Sequence, residues 1–114
     1  MNYDLEDRTK KFSKEIISLL KRVKKDEINR NIISQLIRSA TSIGANYCEA
    51  NNASSKKDFR NKIHICKKET QESKHWLHMI SVAYPDNTKK ARTLWQEAQE
   101  LTLIFGKIIS TLKN

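Results

Sequence analysis

Apolar side chains recur along this chain at alternating steps of three and four residues, the spacing that lays a stripe along one face of an α-helix. Four segments show it, from about Leu5 to Val23, Asn29 to Ala50, Ser55 to Tyr84 and Ala91 to Leu112. The predicted stripes are Leu5, Thr9, Phe12, Ile16, Leu19 and Val23; Ile33, Leu36, Ala40, Ile43 and Tyr47; Phe59, Ile63, Cys66, Thr70, Ser73, Leu77, Ile80 and Tyr84; and Ala91, Leu94, Ala98, Leu101, Phe105, Ile108 and Leu112.

Residues that favour turns and caps separate these segments. The run NNASS at 51–55 interrupts the second and third stripes, and Ser55 with Asp58 resembles a capping box. Pro85 forbids continuation of the third helix. Gly44 is a weak point of the second helix, because glycine has a low helix propensity. The candidate caps of the fourth helix are Asp86, Asn87 and Thr88.

Composition narrows the fold class to helices. Two glycines and one proline among 114 residues are too few for a fold of many short strands. The 31% of charged residues and 38% of apolar residues suit helices with one apolar face. Because short connections make consecutive helices antiparallel, we predict an all-α, up-down-up-down four-helix bundle that forms a single domain over residues 1–114.

More apolar residues lie beside the stripes than one buried face requires. A small monomer would expose some of them, so we predict that the bundle assembles as a homo-oligomer. The alternative is that these residues broaden the core face of a monomer. The candidate interface residues are Ile65, Trp76, Trp95 and Leu103.

Charge is concentrated at one end of the predicted bundle. The chain carries a net charge of +9, which attracts polyanions such as nucleic acid. We call residues 20–31 and 79–92 the basic end, since the predicted topology places them together with eight cations against three carboxylates. The opposite end, residues 1–9, 48–61 and 107–114, has a net charge of only +1. The predicted nucleic-acid contacts are the cations of the basic end, Lys21, Arg22, Lys24, Lys25, Arg30, Lys89, Lys90 and Arg92, followed by a second cluster, Lys56, Lys57 and Arg60.

Candidate catalytic and metal chemistry is sparse. Glu72 and His75 have the spacing of a di-iron ligand pair, but they fall outside the third stripe and no second Glu-x-x-His accompanies them. No glycine-rich phosphate loop or activated nucleophile is evident. The charged start and the lack of a long apolar run favour a cytoplasmic protein with no membrane partner. We predict no catalytic residue, no metal, no cofactor, and reduced, packed thiols at Cys48 and Cys66.

One stretch of the chain resembles a known family. The run SATSIGANYCEANNASSKKDFRNKIHICKKETQESKHWLHMI, residues 39–80, is similar to four-helix-bundle proteins encoded in intervening sequences of bacterial 23S ribosomal RNA genes. The resemblance rests on SIGAN at 42–46 and on scattered motif positions, and it covers about a third of the chain. These positions are Glu49, Ala50, Ser55, Asp58, Phe59, Lys62, Lys68, Glu69, Glu72, Trp76 and Leu77.

The resemblance implies a function as well as a fold. Related structures are homopentameric barrels with a basic surface, and some members look related to the accessory variability protein of diversity-generating retroelements, a pentamer that binds nucleic acid and a reverse transcriptase. We therefore expect a non-enzymatic homo-oligomer, with a pentamer implied, that binds RNA or DNA through backbone phosphates, as an accessory to ribosomal RNA or a reverse transcriptase. The alternative is a scaffold that recruits an enzyme through the apolar flanks around Trp76 and Trp95, without binding nucleic acid.

Overall fold

The structure, a computed structural model, describes residues 2–112, which form four α-helices and no strand. Helix α1 spans Asn2–Lys21, α2 spans Arg30–Asn51, α3 spans Lys56–Ala83 and α4 spans Thr88–Thr111. The predicted all-helical class with four helices is confirmed. Lys113 and Asp4 were counted in the charge of the opposite end. Lys113 and the side chain of Asp4 lie outside the described residues, together with Met1 and Asn114.

Local sequence explains where α3 begins and where it ends. The Ser55 side chain accepts a hydrogen bond from the backbone N–H of Asp58 at 3.0 Å, so the predicted N-cap is confirmed. Helix α3 ends at Ala83, because the proline at position 85 has no backbone N–H to continue the helix.

The start of α4 differs from the prediction. A 3-10 turn, Pro85–Asn87, leads directly into the helix, and the Asn87 side chain makes no capping hydrogen bond. Asn87 has φ −103° and ψ 15° instead of the extended backbone that capping by a side chain requires. Of the candidate caps at positions 86–88, Asn87 therefore occupies the N-cap position without capping the helix through its side chain, and the Thr88 hydroxyl donates to the Pro85 carbonyl at 2.7 Å.

The predicted stripes form the hydrophobic core. Every residue of the first and second stripes is buried, and the third and fourth stripes are buried except at their ends. The exceptions, all half-buried, are Phe59, Tyr84, Ile108 and Leu112. The three-four spacing therefore gives the orientation of all four helices about one core.

Two pairs of hydroxyl groups lie inside this core. The Ser39 and Ser73 hydroxyls join α2 to α3 at 2.9 Å, and the Thr102 hydroxyl of α4 donates to that of Thr70 on α3 at 2.9 Å. All four residues are buried. Because each of these hydrogen bonds forms only where the two hydroxyls lie opposite each other, each pair favours one alignment of the two helices that share it.

Cross-helix contacts show how the helices are aligned. Hydrogen bonds and ion pairs connect α1 with α2, α2 with α3, α3 with α4, and α1 with α4. The contacts are Ser13 with Ala40, Cys66 with Ile43, Ser39 with Ser73, Thr70 with Thr102, Lys74 with Gln99 and Glu15 with Lys90. The connections at 22–29 and 84–87 consequently lie at the same end of a body 46 Å long.

Gly44 lies where α2 packs closely against α1. A Cβ atom at this position would lie 3.3 Å from the Thr9 hydroxyl oxygen, closer than ordinary van der Waals contact. Glycine therefore permits this close approach, although it weakens the isolated helix.

We predict that Gly44→Ala stabilises the protein more in a Thr9→Ala background than in the wild type. Alanine improves helix propensity by about 1 kcal/mol, and only the shortened side chain at position 9 leaves room for the new methyl group. A double-mutant cycle by urea denaturation measures the difference, expected at roughly 0.5 kcal/mol or more. Strictly additive effects would contradict a steric contact between the two positions.

Candidate nucleic-acid interface

The eight cations of the basic end are all exposed. They come from the end of α1, the connection that follows it, the first residue of α2, and the first turns of α4. The tertiary contacts bring these segments together, so cations about 70 residues apart in sequence share one end of the molecule.

Side-chain hydrogen bonds hold the connection between α1 and α2. The buried Asn29 side chain accepts from the Asp26 N–H at 2.9 Å and donates to the Lys24 carbonyl at 2.9 Å. The Asp26 carboxylate accepts from the backbone N–H groups of Ile28 and Asn29 at 2.9 and 2.8 Å. The backbone that carries Lys24 and Lys25 is therefore ordered by its own side chains.

Arg22 and Lys90 line one cavity between the end of α1 and the start of α4. Its volume is about 360 Å³, and Ser18, Asn87 and Glu15 also line it. The Asn87 Nδ2 is buried and has no hydrogen-bond partner among residues 2–112. Glu15 lies 3.6 Å from the Lys90 ammonium and offsets part of its charge. The charge count from sequence missed this carboxylate, because Glu15 lies outside the segments counted for the basic end.

A second cavity, a groove of about 320 Å³, lies between the end of α3 and the start of α4. Arg92 of the basic end and the half-buried Trp95 line it, together with Leu77, His78, Ser81, Thr88, Ala91 and Gln96. Sequence reasoning identified Arg92 and Trp95 but missed the other six. The only signal in the sequence was the spacing of Arg92 and Trp95, three residues apart on one helix.

The second cationic cluster lies at the other end of the molecule. Lys56 and Lys57 are exposed in the first turn of α3, and Arg60 is half-buried with its guanidinium 3.5 Å from the Leu112 carbonyl oxygen. Helix α3 rises about 1.5 Å per residue, so this cluster is about 40 Å from the basic end. The structure does not bring the two clusters together.

The candidate interface residues lie on different sides of the bundle. Ile65 and Trp76 are four residues from Glu69 and Glu72, the α3 carboxylates that contact Arg38 of α2, so they share the side of α3 that faces α2. Trp95 instead lines the groove between α3 and α4. Leu103 is 62% exposed.

Carboxylates along the sides of the bundle pair with cations of other helices. The Arg8 guanidinium of α1 contacts Glu97 and Glu100 of α4 at 2.7 and 2.5 Å, and these hydrogen bonds raise its pKa. Between α2 and α3, Arg38 pairs with Glu69 and Glu72, and Lys62 pairs with Glu49. Several family-motif residues are therefore engaged in contacts between α2 and α3.

The cysteines differ in environment. Cys66 is buried and its Sγ lies 3.5 Å from the Ile43 carbonyl oxygen, and burial raises the pKa of its thiol to about 12. The thiolate, which is the nucleophilic form, is therefore scarce at neutral pH. Cys48 is exposed, so the prediction that it is packed is wrong: it lies on α2 outside the buried stripe.

Metal ligands do not cluster in the described part of the chain. Within residues 2–112, no three His, Cys, Asp or Glu side chains are arranged to hold a metal ion. The imidazole of His75 instead packs edge-on against Trp76, with ring centroids 4.7 Å apart. Over the same range, no helix has the length and apolarity needed to cross a membrane.

Comparison with known proteins identifies a family and a similar solved structure. Residues 1–107 match the sequence profile of the 23S rRNA-intervening sequence protein family. The chain is also similar to a Bacteroides thetaiotaomicron protein from the S23 ribosomal protein family, whose function is described as unknown. The two share 30% sequence identity and superpose with a TM-score of 0.79, over 91% of this chain and 96% of the other. No curated protein matches this chain.

We predict that Asn29→Ala lowers the free energy of unfolding by about 1–3 kcal/mol, because it leaves the Asp26 N–H and the Lys24 carbonyl without their partner. Asn31→Ala, at an exposed position two residues away, is the matched control and is expected to change stability by less than about 0.5 kcal/mol. Chemical denaturation followed by circular dichroism measures both. Equal effects of the two substitutions would contradict an ordering role for Asn29.

Proposed function

Since this chain belongs to the 23S rRNA-intervening sequence protein family, we propose that it is a non-enzymatic, homo-oligomeric bundle that binds RNA or DNA through backbone phosphates at its basic end. The contacts are the exposed Lys and Arg side chains of the connection after α1 and of the first turns of α4. Contacts of this kind neutralise phosphates without reading bases, so the protein itself has low sequence specificity.

The observation that carries this proposal is the cavity shared by Arg22 and Lys90. Two cations from different helices converge there beside Ser18 and Asn87, and the Arg22 guanidinium, the Lys90 ammonium and the Ser18 hydroxyl are potential donors to phosphate oxygens. A solvated surface charge needs no such convergence. Glu15 reduces the positive charge of the cavity but leaves an excess of one cation.

The proposed assembly is a ring of antiparallel, up-down-up-down bundles, with five subunits as the resemblance implies. The alternating direction of the cross-helix contacts supports the antiparallel arrangement. The exposed side chains of Ile17 and Leu103, 41% and 62% accessible, support burial against another copy. In a ring, the basic ends of all subunits face the same direction and form one extended positive surface.

A cytoplasmic partner such as a reverse transcriptase would supply the specificity that phosphate contacts lack. Ile65 and Trp76 of α3 offer half-buried apolar surface for a protein contact on a different side of the bundle from the groove at Trp95. Nucleic acid and protein would then bind to separate parts of the same subunit.

We predict that Lys24→Glu with Lys25→Glu weakens binding to labelled RNA and DNA of any sequence and lowers the salt slope of log Kd by about two. The matched control is Lys56→Glu with Lys57→Glu, which changes the charge equally at exposed positions of the opposite end. Fluorescence anisotropy at several salt concentrations, with protein freed of nucleic acid, provides the measurement.

Equal losses from the two double substitutions would assign the effect to net charge and contradict a site at the basic end. Absence of wild-type binding even at low salt would reject the nucleic-acid function. The scaffold that recruits an enzyme would then be the favoured function. It requires a protein partner that the chain still captures from a lysate treated with nuclease.

We predict that the wild-type chain sediments as a multiple of its 13.3 kDa mass and that Leu103→Glu shifts it toward the monomer. Burying a carboxylate in place of an apolar side chain at a subunit contact is costly, whereas the same change on a free surface is not. Sedimentation equilibrium gives the mass. A wild-type monomer at high protein concentration would rule out the ring.

A further inference from the structure

The groove between α3 and α4 combines groups that suit an unpaired nucleotide. Trp95 supplies an aromatic surface, and Arg92, one turn earlier on α4, supplies a cation at the same opening. Leu77 and Ala91 add apolar lining, and Gln96 adds an amide that both donates and accepts hydrogen bonds. Its volume of about 320 Å³ lies within the range of small-ligand sites, about 300–1,000 Å³.

The indole of Trp95 is held from outside the groove. The Lys74 ammonium lies 5.1 Å from the ring centroid, and its Nζ donates to the Gln99 side chain at 2.6 Å. Lys74 does not line the groove. The cation–π contact therefore positions the ring, and the hydrogen bond to Gln99 positions Lys74, which reduces the entropy that ligand binding would cost.

Other lining groups keep free acceptor capacity. The Ser81 hydroxyl donates to the His78 carbonyl at 2.7 Å and the Thr88 hydroxyl donates to the Pro85 carbonyl at 2.7 Å. Each hydroxyl oxygen still has lone pairs that can accept from the exocyclic amino group or ring N–H of a base. The groove therefore offers hydroxyl oxygens that suit the edge of a base and an indole ring that suits its face.

We propose that this groove binds one unpaired nucleobase stacked on Trp95, with the phosphate of that nucleotide at Arg92, so that the basic end prefers single-stranded to duplex nucleic acid. The inference rests on the proposed function and specifies its substrate. A duplex offers phosphates to the cations but keeps the faces of its bases stacked inside the helix. Only a strand with unstacked bases can use Trp95 as well as the cations.

Trp95→Leu tests the proposal because leucine keeps an apolar side chain and removes the aromatic ring. We expect affinity for a labelled single-stranded RNA to fall about fivefold or more, the loss of one stacked base, with the salt slope unchanged. Affinity for the same RNA in duplex form should not change. Phe59→Leu is the matched control, a half-buried aromatic residue at the opposite end of α3 that does not line the groove, and should bind both probes as the wild type does.

A second measurement does not depend on how well Trp95→Leu folds. In the Trp76→Phe variant Trp95 is the single tryptophan, and its fluorescence should be quenched by unlabelled single-stranded RNA but not by the duplex. Unchanged fluorescence at saturation would overturn the proposal. The proposal would also be overturned by salt-dependent binding that is equal for single strand and duplex and that Trp95→Leu does not change. That result would leave the proposed binding through phosphates intact.

Two remaining outcomes are equally decisive. If Trp95→Leu alters the sedimenting mass while single-strand affinity is unchanged, Trp95 belongs to a subunit contact and the proposal is wrong. If the wild type binds neither probe at low salt, the nucleic-acid function fails and the inference fails with it.

Discussion

The packing of α3 against both α2 and α4 is the constraint on which the rest of the molecule depends. Two buried hydroxyl pairs, Ser39 with Ser73 and Thr70 with Thr102, fix how far each neighbour slides along α3. A shift of one helical turn would break both of these hydrogen bonds between helices, each worth about 0.5–1.5 kcal/mol. Apolar packing alone tolerates such shifts better, because hydrophobic contacts are not directional.

This alignment determines where charge accumulates. It sets acids along the sides of the bundle opposite cations of neighbouring helices, as at Arg8 with Glu97 and Arg38 with Glu72. It also brings the end of α1 beside the start of α4, where Arg22 and Lys90 share a cavity. Exposed ion pairs add little stability, so their main consequence is the distribution of charge: balanced sides and a cationic end.

The residues that identify the family and those proposed to act are largely different sets. Glu49, Lys62, Glu69 and Glu72, which carry much of the resemblance, form ion pairs between α2 and α3. The cations of the basic end and Trp95 lie outside the stretch at 39–80 that carries it. Family membership therefore supports the bundle directly, whereas function has to be argued from the ends and grooves of this chain.

The sequence by itself determined the four helices and nearly all of the core, because helical periodicity and breakers such as Pro85 are local signals. It also identified the exposed cations, since lysine and arginine are rarely buried. Only the tertiary structure decided which cations meet, that Glu15 reaches Lys90, and that Trp95 shares a groove with His78 and Arg92. These contacts depend on how helices distant in sequence are aligned. Buried hydroxyl pairs and close contacts such as Gly44 with Thr9 fix that alignment, and helical periodicity does not encode it.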